Sequence, residues 1–308
     1  MSFKRLNILT GWSVWLIATV VYILTVEPTS SFWDCGEFIA SAYKLEVGHP
    51  PGAPLFMLLA RLFMVFSSPE TAALAANMLS ALSSSFTILF LFWSITHLAR
   101  RFYGGFKVEP SKSATIAILG SGIVGGLAYT FSDSFWFSAT EGEVYALSSL
   151  FTAAVFWAIL KWETVADEPG SSRWLILIAY LMGLSIGVHL LNLLAIPAIA
   201  LVYFFRKFEY SHLGLLLTGG ISILLLGLIQ VGVIQGLIQV AAKFELFFVN
   251  TVGLPFNTGI IFFTLLLVTL LFIAIFVSRQ NGWWALNTLT LSVAMILIGY
   301  SSFTTIVV

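Results

Sequence analysis

Charged residues are scarce in this sequence. Lysine, arginine, aspartate and glutamate make up 9% of its 308 residues, whereas hydrophobic residues make up 59%, and the mean hydropathy is +1.00. Soluble globular domains carry about 25% charged residues, so the composition excludes that class. The alternation of apolar and polar residues that a membrane β-barrel needs is also missing. Long continuous apolar runs instead predict membrane-spanning helices, because a helix satisfies its backbone polar groups internally in lipid.

Cysteine and nucleotide-binding motifs are nearly absent too. The single cysteine, Cys35, excludes an intrachain disulfide and a thiolate metal cluster. The glycines between Gly120 and Gly126 lie inside a predicted span, where small residues serve close helix packing rather than phosphate binding. The sequence shows no internal repeat of the kind found in many transporters. It therefore predicts membrane lipids as partners and no nucleic acid or nucleotide.

Nine apolar runs predict an all-α polytopic membrane protein with about nine transmembrane helices in one domain, residues 1–308. The first run follows Lys4 and Arg5, but it is about 19 residues long and lacks a small-residue cleavage site, which favours a retained anchor over a signal peptide. Segment 54–66 is too short to span and is expected to be interfacial or re-entrant. The predicted spans are 8–26, 71–99, 114–131, 143–160, 174–189, 190–205, 212–235, 259–278 and 283–303.

The placement of cations predicts the orientation of these spans. If the N-terminus is cytoplasmic and segment 54–66 does not cross, eleven Lys and Arg residues fall inside and three fall outside, as the positive-inside rule expects. If that segment crossed, the Arg100-Arg101 pair would face outward. The inner cations are Lys4, Arg5, Arg100, Arg101, Lys107, Lys112, Lys161, Arg173, Arg206, Lys207 and Arg279, and the outer ones are Lys44, Arg61 and Lys243.

Two acidic loops are predicted on the outer face. The first, residues 27–70, is the longest connection, and long ordered loops are often functional. Its Asp34 and Glu37 are three residues apart and would share one face of a helix. Such a pair suits a general base, a divalent-cation site or hydrogen bonds to sugar hydroxyls. The competing interpretation, weighed equally, is that Asp34 caps a short interfacial helix.

The second loop, residues 132–142, again places carboxylates beside aromatic residues. A capping box between Thr140 and Glu143 explains Glu143. It explains Glu141 less well, because a second acid crowded near lipid is costly without a purpose. We therefore predict a site role for at least one of the two glutamates.

Three further polar residues are candidates. His189 and Asn192 lie at a turn between two short spans, where a functional role and hydrogen bonding between helices are equally compatible with the pattern. Arg61 lies in the short segment 54–66, where it could meet a lipid phosphate. Its alternative is simple snorkelling to the interface.

Four blocks of sequence resemble one known family. They are Trp33-Asp34-Cys35-Gly36-Glu37-Phe38-Ile39, Gly48-His49-Pro50-Pro51-Gly52-Ala53-Pro54-Leu55-Phe56, Thr140-Glu141-Gly142-Glu143-Val144-Tyr145 and His189-Leu190-Leu191-Asn192. In this order they resemble the family of transmembrane protein 260, which includes a eukaryotic protein O-mannosyltransferase and bacterial members long described only as a domain of unknown function.

The resemblance implies a GT-C-type membrane glycosyltransferase. In that scheme a sugar, expected to be mannose, leaves a polyprenyl-phosphate-linked donor with inversion and joins a Ser or Thr hydroxyl of a secreted protein. Asp34 would be the base and Glu37 the second catalytic carboxylate. A divalent metal at Asp34, with Glu141 or His49 as co-ligand, is left open. The implied substrate-binding residues are His49, Arg61, Glu141, Glu143, His189 and Asn192.

The sequence departs from the family pattern at its end. Members resemble a membrane domain followed by a sizeable outer soluble region, whereas this chain ends in the apolar residues 305–308, so we expect the N-terminal part of a longer protein. The lone Cys35 and the lack of Asn-x-Ser/Thr sequons in the outer loops favour a bacterial inner membrane, with the site on the periplasmic face. Two alternatives remain: a transporter or flippase for a lipid-linked solute, and a non-catalytic scaffold subunit of a glycosylation or secretion complex.

Overall fold

A computed structural model describes residues 1–50 and 52–303 of the chain. Within these ranges the secondary structure is helical, with no strand. Eight helices are long and apolar enough to cross a membrane, which confirms the predicted all-α polytopic class. Pro51, in the second block of the family resemblance, and the apolar chain end 305–308 lie outside the described residues.

The thirteen α-helices of the described part fall into long elements and short connecting ones. The connecting helices are α2 (Cys35–Lys44), α3 (Pro54–Phe63) and α6 (Asp133–Thr140). At 10 residues, α3 is too short to span lipid, as predicted. The remaining helices are α1 (Phe3–Leu24), α4 (Ala72–Phe102), α5 (Lys112–Thr130), α7 (Val144–Val165), α8 (Ser172–Ile186), α9 (Ile196–Lys207), α10 (His212–Gly227), α11 (Leu237–Leu246), α12 (Thr258–Gln280) and α13 (Trp284–Tyr300).

Two predicted spans need correction. The span predicted at 174–189 ends earlier, because α8 stops after 15 residues at Gly187 and a 3-10 turn, Leu190–Ala195, precedes α9. The span predicted at 212–235 is too short. A π-helical stretch, Leu228–Gly236, joins α10 to α11, and a second one, Phe247–Thr251, extends α11, so that together they form one 40-residue helix. Glutamine and lysine interrupt the apolar run there but are good helix formers, so they end the hydropathy signal without ending the helix.

The helix α4 is the centre of the bundle. In its most apolar 18-residue window 61% of the residues are buried, against 0% in the corresponding window of α12. The buried face of α4 is rich in small residues, including Ala76, Ser80 and Ser84. Lipid provides no hydrophobic force between helices, so close approach over small side chains holds such bundles together. The helices α1, α5 and α7 pack around this face.

The second tight contact joins α8 and α13. A Cβ atom on Gly183 would collide with the backbone of Ile296, and one on Gly299 would collide with the backbone of Leu184 and Gly183. The two helix backbones therefore touch, as in other helix pairs that cross at small residues. This contact brings the end of α13, at Tyr300, beside the end of α8.

The bundle has two chemically different ends. Residues 25–71, with α2 and α3, cover the end at which α1 stops and α4 and α7 start; we call it the loop end. At the opposite end, the cation end, Arg101 pairs with Glu163, while Lys207 and Arg206 both pair with Asp167. These three cations belong to the set predicted to share one side of the membrane.

Candidate functional site

The loop end is built on a buried asparagine of α4. Asn77 is fully buried, and its Nδ2 donates to the carbonyls of Glu27 at 2.6 Å and Thr29 at 2.9 Å. Gly142 packs on the other side of the same residue, since a Cβ atom there would lie 2.7 Å from Asn77 Oδ1. Asn77 thus holds the start of loop one and the centre of loop two against one helix.

Asp34 stands at the N-cap position of α2, but it does not act as a cap. Its carboxylate makes no capping hydrogen bond, so the capping interpretation is wrong. The preceding residue, Trp33, has φ of 63°, in the left-handed region that non-glycine residues rarely adopt. Backbone strain of this kind recurs at functional sites. The Asp34 side chain is left exposed and lines a cavity.

This cavity, of about 560 Å³, gathers residues from both loops and from helices far along the chain. Its polar lining, which we call the polar wall, consists of Asp34, His49, Glu143, Tyr145 and His189. Its apolar lining, which we call the apolar wall, consists of Phe38, Ala53, Val144, Ile186, Val188, Leu190, Ile234, Ile238 and Phe303, with the ring of Tyr300. A cavity lined by both polar and apolar residues suits an amphipathic ligand.

Glu37 and His49 form a pair beside the cavity. The backbone N–H of His49 donates to Glu37 Oε1 at 2.5 Å, and its Nδ1 lies 3.0 Å from Oε2. These hydrogen bonds hold the pKa of Glu37 below its usual value and raise the pKa of His49. Both carboxylate oxygens of Glu37 are therefore occupied, and of the two residues only His49 lines the cavity.

Loop two carries a buried pair of carboxyls. Glu141 and Glu143 are each 5% exposed, and the thiol of the buried Cys35 lies 3.7 Å from a carboxyl oxygen of each. Burial raises the pKa of both glutamates, and the charge of Asp34 contributes to the rise at Glu143. Burial and the two carboxyls also raise the pKa of the Cys35 thiol. Glu143 accepts from the N–H of Val144 at 3.3 Å, so the capping box predicted with Thr140 does not form.

His189 presents one ring nitrogen to the cavity. The backbone N–H of Leu191 donates to its Nδ1 at 3.2 Å. In the neutral ring the proton must then sit on Nε2, because one nitrogen accepts and the other donates. The ring also packs on Tyr145, with centroids 5.4 Å apart. His189 is thus held as a hydrogen-bond donor at the cavity wall.

The chain matches a known family at this site. The sequence model of the protein O-mannosyl-transferase TMEM260 N-terminal domain matches residues 34–212, which is more than half of the chain. The chain belongs to this family. The match begins at Asp34 and includes Glu143 and His189, so it spans the polar wall of the cavity. It ends before Ile234, Ile238 and Tyr300 in the apolar wall.

Two relatives carry the TMEM260 name. Protein O-mannosyl-transferase TMEM260 of Mus musculus is 28% identical over 174 residues, which is 56% of this chain and 22% of the relative. Protein O-mannosyl-transferase tmem260 of Dictyostelium discoideum is 24% identical over 186 residues, 58% of this chain and 21% of the relative. The matched part thus spans about a fifth of these relatives. No solved structure matches the chain.

The predicted site residues of this TMEM260 domain are only partly brought together. Asp34, His49, Glu143 and His189 line the cavity, and Glu37 and Glu141 lie directly behind it. Arg61 does not reach it, since its guanidinium lies 5.3 Å from the ring centroid of Tyr43. Asn192 is fully buried outside the lining and donates to Ser185 Oγ at 2.8 Å. In this geometry Asn192 acts as a contact between helices.

Sequence reasoning missed Asn77 and most of the apolar wall. Asn77 is a polar residue inside a long apolar helix, a signal that was available, because such residues are rarely placed there without a partner. Tyr145 belongs to the block Thr140–Tyr145, whose pattern assigns it no role. Ile234, Ile238 and Tyr300 carry no distinguishing signal, since apolar and aromatic residues fill every span of this chain.

One group of donor atoms has a spacing that a metal ion could use. A carboxylate oxygen of Asp34, one of Glu37 and a ring nitrogen of His49 all lie within 4.8 Å of one another. Carboxylate and imidazole ligands suit several divalent cations. Glu141, which the family resemblance left open as a co-ligand of a metal at Asp34, is not in this group and instead contacts Cys35.

Proposed function

We propose that this chain is the membrane domain of a glycosyltransferase that moves mannose from a polyprenyl-phosphate-linked donor to Ser or Thr hydroxyls of proteins on the outer face. The observation that carries the proposal is the cavity at the loop end, whose lining combines carboxyl and imidazole groups with many apolar side chains. A polyprenyl-phosphate sugar has the same two parts, a polar head and a hydrocarbon chain. The names of the relatives supply the sugar and the acceptor class.

Asp34 is the base in this proposal. Its carboxylate lines the cavity and is engaged by no hydrogen bond from α2. A free carboxylate can take the proton of an acceptor hydroxyl as the oxygen attacks the anomeric carbon. The bond from that carbon to the phosphate oxygen then breaks on the opposite face, with inversion, and the polyprenyl phosphate departs. A positioned base contributes about 10² to 10⁴ in rate to such proton transfers.

The other polar residues bind the head of the donor. Nε2–H of His189 and the imidazole of His49 serve as donors to the departing phosphate, because they are the nitrogen groups that line the cavity. Glu143 is placed to hydrogen-bond sugar hydroxyls. Glu37 acts through His49, whose backbone and ring it holds. The alternative is that Asp34 instead holds a divalent cation together with Glu37 and His49, and a transfer assay with and without EDTA distinguishes the two roles.

The location follows from the charge pattern. With the eleven predicted inner cations cytoplasmic, the loop end and its cavity face outward. We propose the periplasmic face of a bacterial inner membrane. Secreted proteins then reach the site as acceptors, and the donor comes from the surrounding lipid.

The test is a transfer assay with the full-length protein in membranes. Polyprenyl-phosphate-linked labelled mannose and a secreted acceptor protein are supplied, and wild type is compared with Asp34→Asn at matched expression. We expect a loss of about 100-fold or more, since the amide cannot accept the proton. Asp133→Asn is the matched control, because Asp133 lies nearby in the first turn of α6 but does not line the cavity.

Each outcome decides between hypotheses. Loss in Asp34→Asn with full activity in Asp133→Asn supports the transferase and its base. Equal transfer by both variants removes Asp34 from the chemistry. No transfer by wild type, with movement of the labelled lipid across the membrane, identifies a flippase. Activity of neither kind, with intact assembly into a larger complex, identifies a scaffold.

A further inference from the structure

A second cavity, of about 460 Å³, lies at the cation end of the bundle. It is enclosed by the start of α1 and the ends of α4 and α7, about 30 Å from the loop end for helices of some 20 residues. Its lining residues of most interest are Lys4, Asn7, Trp93, Arg100, Trp157 and Lys161.

The charges of this cavity are not neutralised from within. Lys4, Arg100 and Lys161 line it, and no carboxylate is among the described residues of its wall. Arg100 donates from Nε to the carbonyl of Gly105 and from Nη2 to those of Phe106 and Val108, and these neutral acceptors leave its positive charge.

Two acids contact residues of this wall: Glu163 is in an ion pair, whereas Glu109 meets only a neutral N–H and keeps one negative charge against the three cations. Glu163 accepts from Arg101 and lies 3.3 Å from Nε2 of His97, which also lines the cavity. Glu109 accepts from the backbone N–H of Phe3 at 3.3 Å. The cavity therefore has a net positive wall, a chemistry that favours an anionic ligand.

The remaining wall is apolar and aromatic. The rings of Trp93 and Trp157 pack with centroids 5.9 Å apart, and Ile8 lies beside them. Asn7, one turn from Lys4 on α1, has a buried side-chain oxygen with no hydrogen-bond partner in the described part of the chain. An unpaired buried polar atom is unfavourable, and a hydroxyl of a bound molecule would satisfy it.

We propose that this cavity binds the phosphate headgroup of an anionic membrane lipid. Three cations receive the phosphate, the Asn7 amide accepts from a hydroxyl or phosphate O–H, and the tryptophan rings contact the first part of the acyl chains. The cavity lies where the spans end, which is the level of headgroups in a bilayer, and tryptophan is enriched at that level. Basic pockets between helices at this depth suit such lipids. The site is independent of the proposed transferase reaction.

Native mass spectrometry of the purified protein with phosphatidic acid or phosphatidylcholine of identical chains tests the assignment. We expect preferential binding of phosphatidic acid. The double variant Lys4→Gln/Lys161→Gln should weaken it by about tenfold or more, because it removes two of the three cations that receive the phosphate. Lys107→Gln/Lys112→Gln removes two cations from the same predicted side that do not line the cavity, and it should leave binding within about twofold.

Further arms keep the test decisive. Lys4→Arg/Lys161→Arg should restore binding, and thermal unfolding of every variant shows that it is folded. If both double glutamine variants weakened binding of phosphatidic acid equally, binding would depend on the general positive charge of the surface, and this result would overturn the site. Displacement of bound phosphatidic acid by millimolar inorganic phosphate would assign the cavity to a soluble phosphate compound and overturn the lipid. Equal binding of the two lipids would overturn the proposal as a whole.

Discussion

The two ends of this helix bundle carry cavities of similar size and opposite chemistry. The loop-end cavity, about 560 Å³, presents Asp34 and Glu143, whereas the cation-end cavity, about 460 Å³, presents Lys4, Arg100 and Lys161. The helix α7 contributes to both, with Glu143 just before its start and Lys161 near its end. Many of the polar residues that line the loop-end cavity lie in the loops between the spans. Nearly all of those that line the cation-end cavity lie in the membrane-spanning helices themselves.

The comparison teaches that the two sites depend on different contacts. Residues of α1, α4 and α7 build the cation-end cavity, and these helices form the centre of the bundle. The loop-end cavity needs the contact between α8 and α13 in addition, because Ile186 and Tyr300 form part of its wall. A change in that contact should therefore impair the loop-end cavity and leave the cation-end cavity intact.

The largest expected effect comes from closing the contact between α8 and α13. Gly183→Val places a side chain against the backbone of Ile296, and such overpacking typically costs about 1–3 kcal/mol or more. We expect a lower midpoint of thermal unfolding and loss of most transfer activity, with binding of phosphatidic acid at the cation end retained. The assays are thermal unfolding, mannose transfer and native mass spectrometry.

Gly219→Val is the control for this change. Gly219 also lies inside a helix, but a Cβ atom there meets no atom within 4 Å, so the two variants share only the small gain in helix propensity on replacing glycine by valine. If Gly183→Val abolished lipid binding together with transfer while the protein stayed folded, the two ends would not be separable.

A smaller effect is expected from the buried carboxyls of the loop end. Burial raises the pKa of Glu141 and Glu143 in the folded protein. Their stabilising contribution is therefore complete below the unfolded pKa, about 4.3, and is lost as the pH rises through the folded pKa. Glu141→Gln/Glu143→Gln should raise the midpoint of thermal unfolding at pH 7.5 by about 2 °C or more. The gain should shrink towards pH 4.

If Glu141→Gln/Glu143→Gln raised the midpoint of thermal unfolding equally at pH 7.5 and pH 4, ionisation of the two glutamates would not be the cause of the increase. Glu46→Gln is the matched control, because Glu46 is an exposed acid of loop one that pairs only with Lys44. It should leave the midpoint of unfolding unchanged at either pH. The cation end offers no equivalent pair, since its buried acid, Glu163, is bound to Arg101.

The smallest expected effect concerns His49. Its hydrogen bond to Glu37 raises its pKa, so the pair is complete below about pH 6.5 and opens as the pH rises through the raised pKa. A nuclear magnetic resonance titration of the His49 ring should give a pKa above the usual value. Glu37→Gln should return it towards about 6.5, whereas Glu46→Gln should leave it raised. An unchanged titration in Glu37→Gln would contradict the pairing.

Much of the fold could be predicted from hydropathy, because lipid accepts only long apolar helices. The segment around Arg61 is short, and the structure makes it the 10-residue helix α3. The end of the long helix after His212 could not be predicted in the same way, since Gln235 and Gln239 lower hydropathy but not helix propensity. Hydropathy measures the free energy of transferring side chains out of water, whereas the position of a helix end depends on backbone hydrogen bonds.

The candidate site could be predicted in part. Asp34, His49, Glu143 and His189 were recognisable as polar residues in a chain with few of them, and they line one cavity. Arg61 carried the same signal but stacks beside Tyr43 instead. Polarity identifies residues that need a partner, and it does not say whether that partner is a substrate or a neighbouring side chain.

The sequence by itself determined the membrane class, the helices, the predicted sidedness and the residues able to do chemistry, because each follows from composition over short stretches. Only the tertiary structure decided that Asp34 lines one cavity with Ile234 and Tyr300, that Asn192 contacts Ser185, and that Lys4 and Lys161 share a cavity. These neighbours are far apart in the chain. Their contact depends on how helix surfaces pack over small residues such as Gly183 and Gly299. Hydropathy averaged over a short stretch of sequence carries no information about that packing.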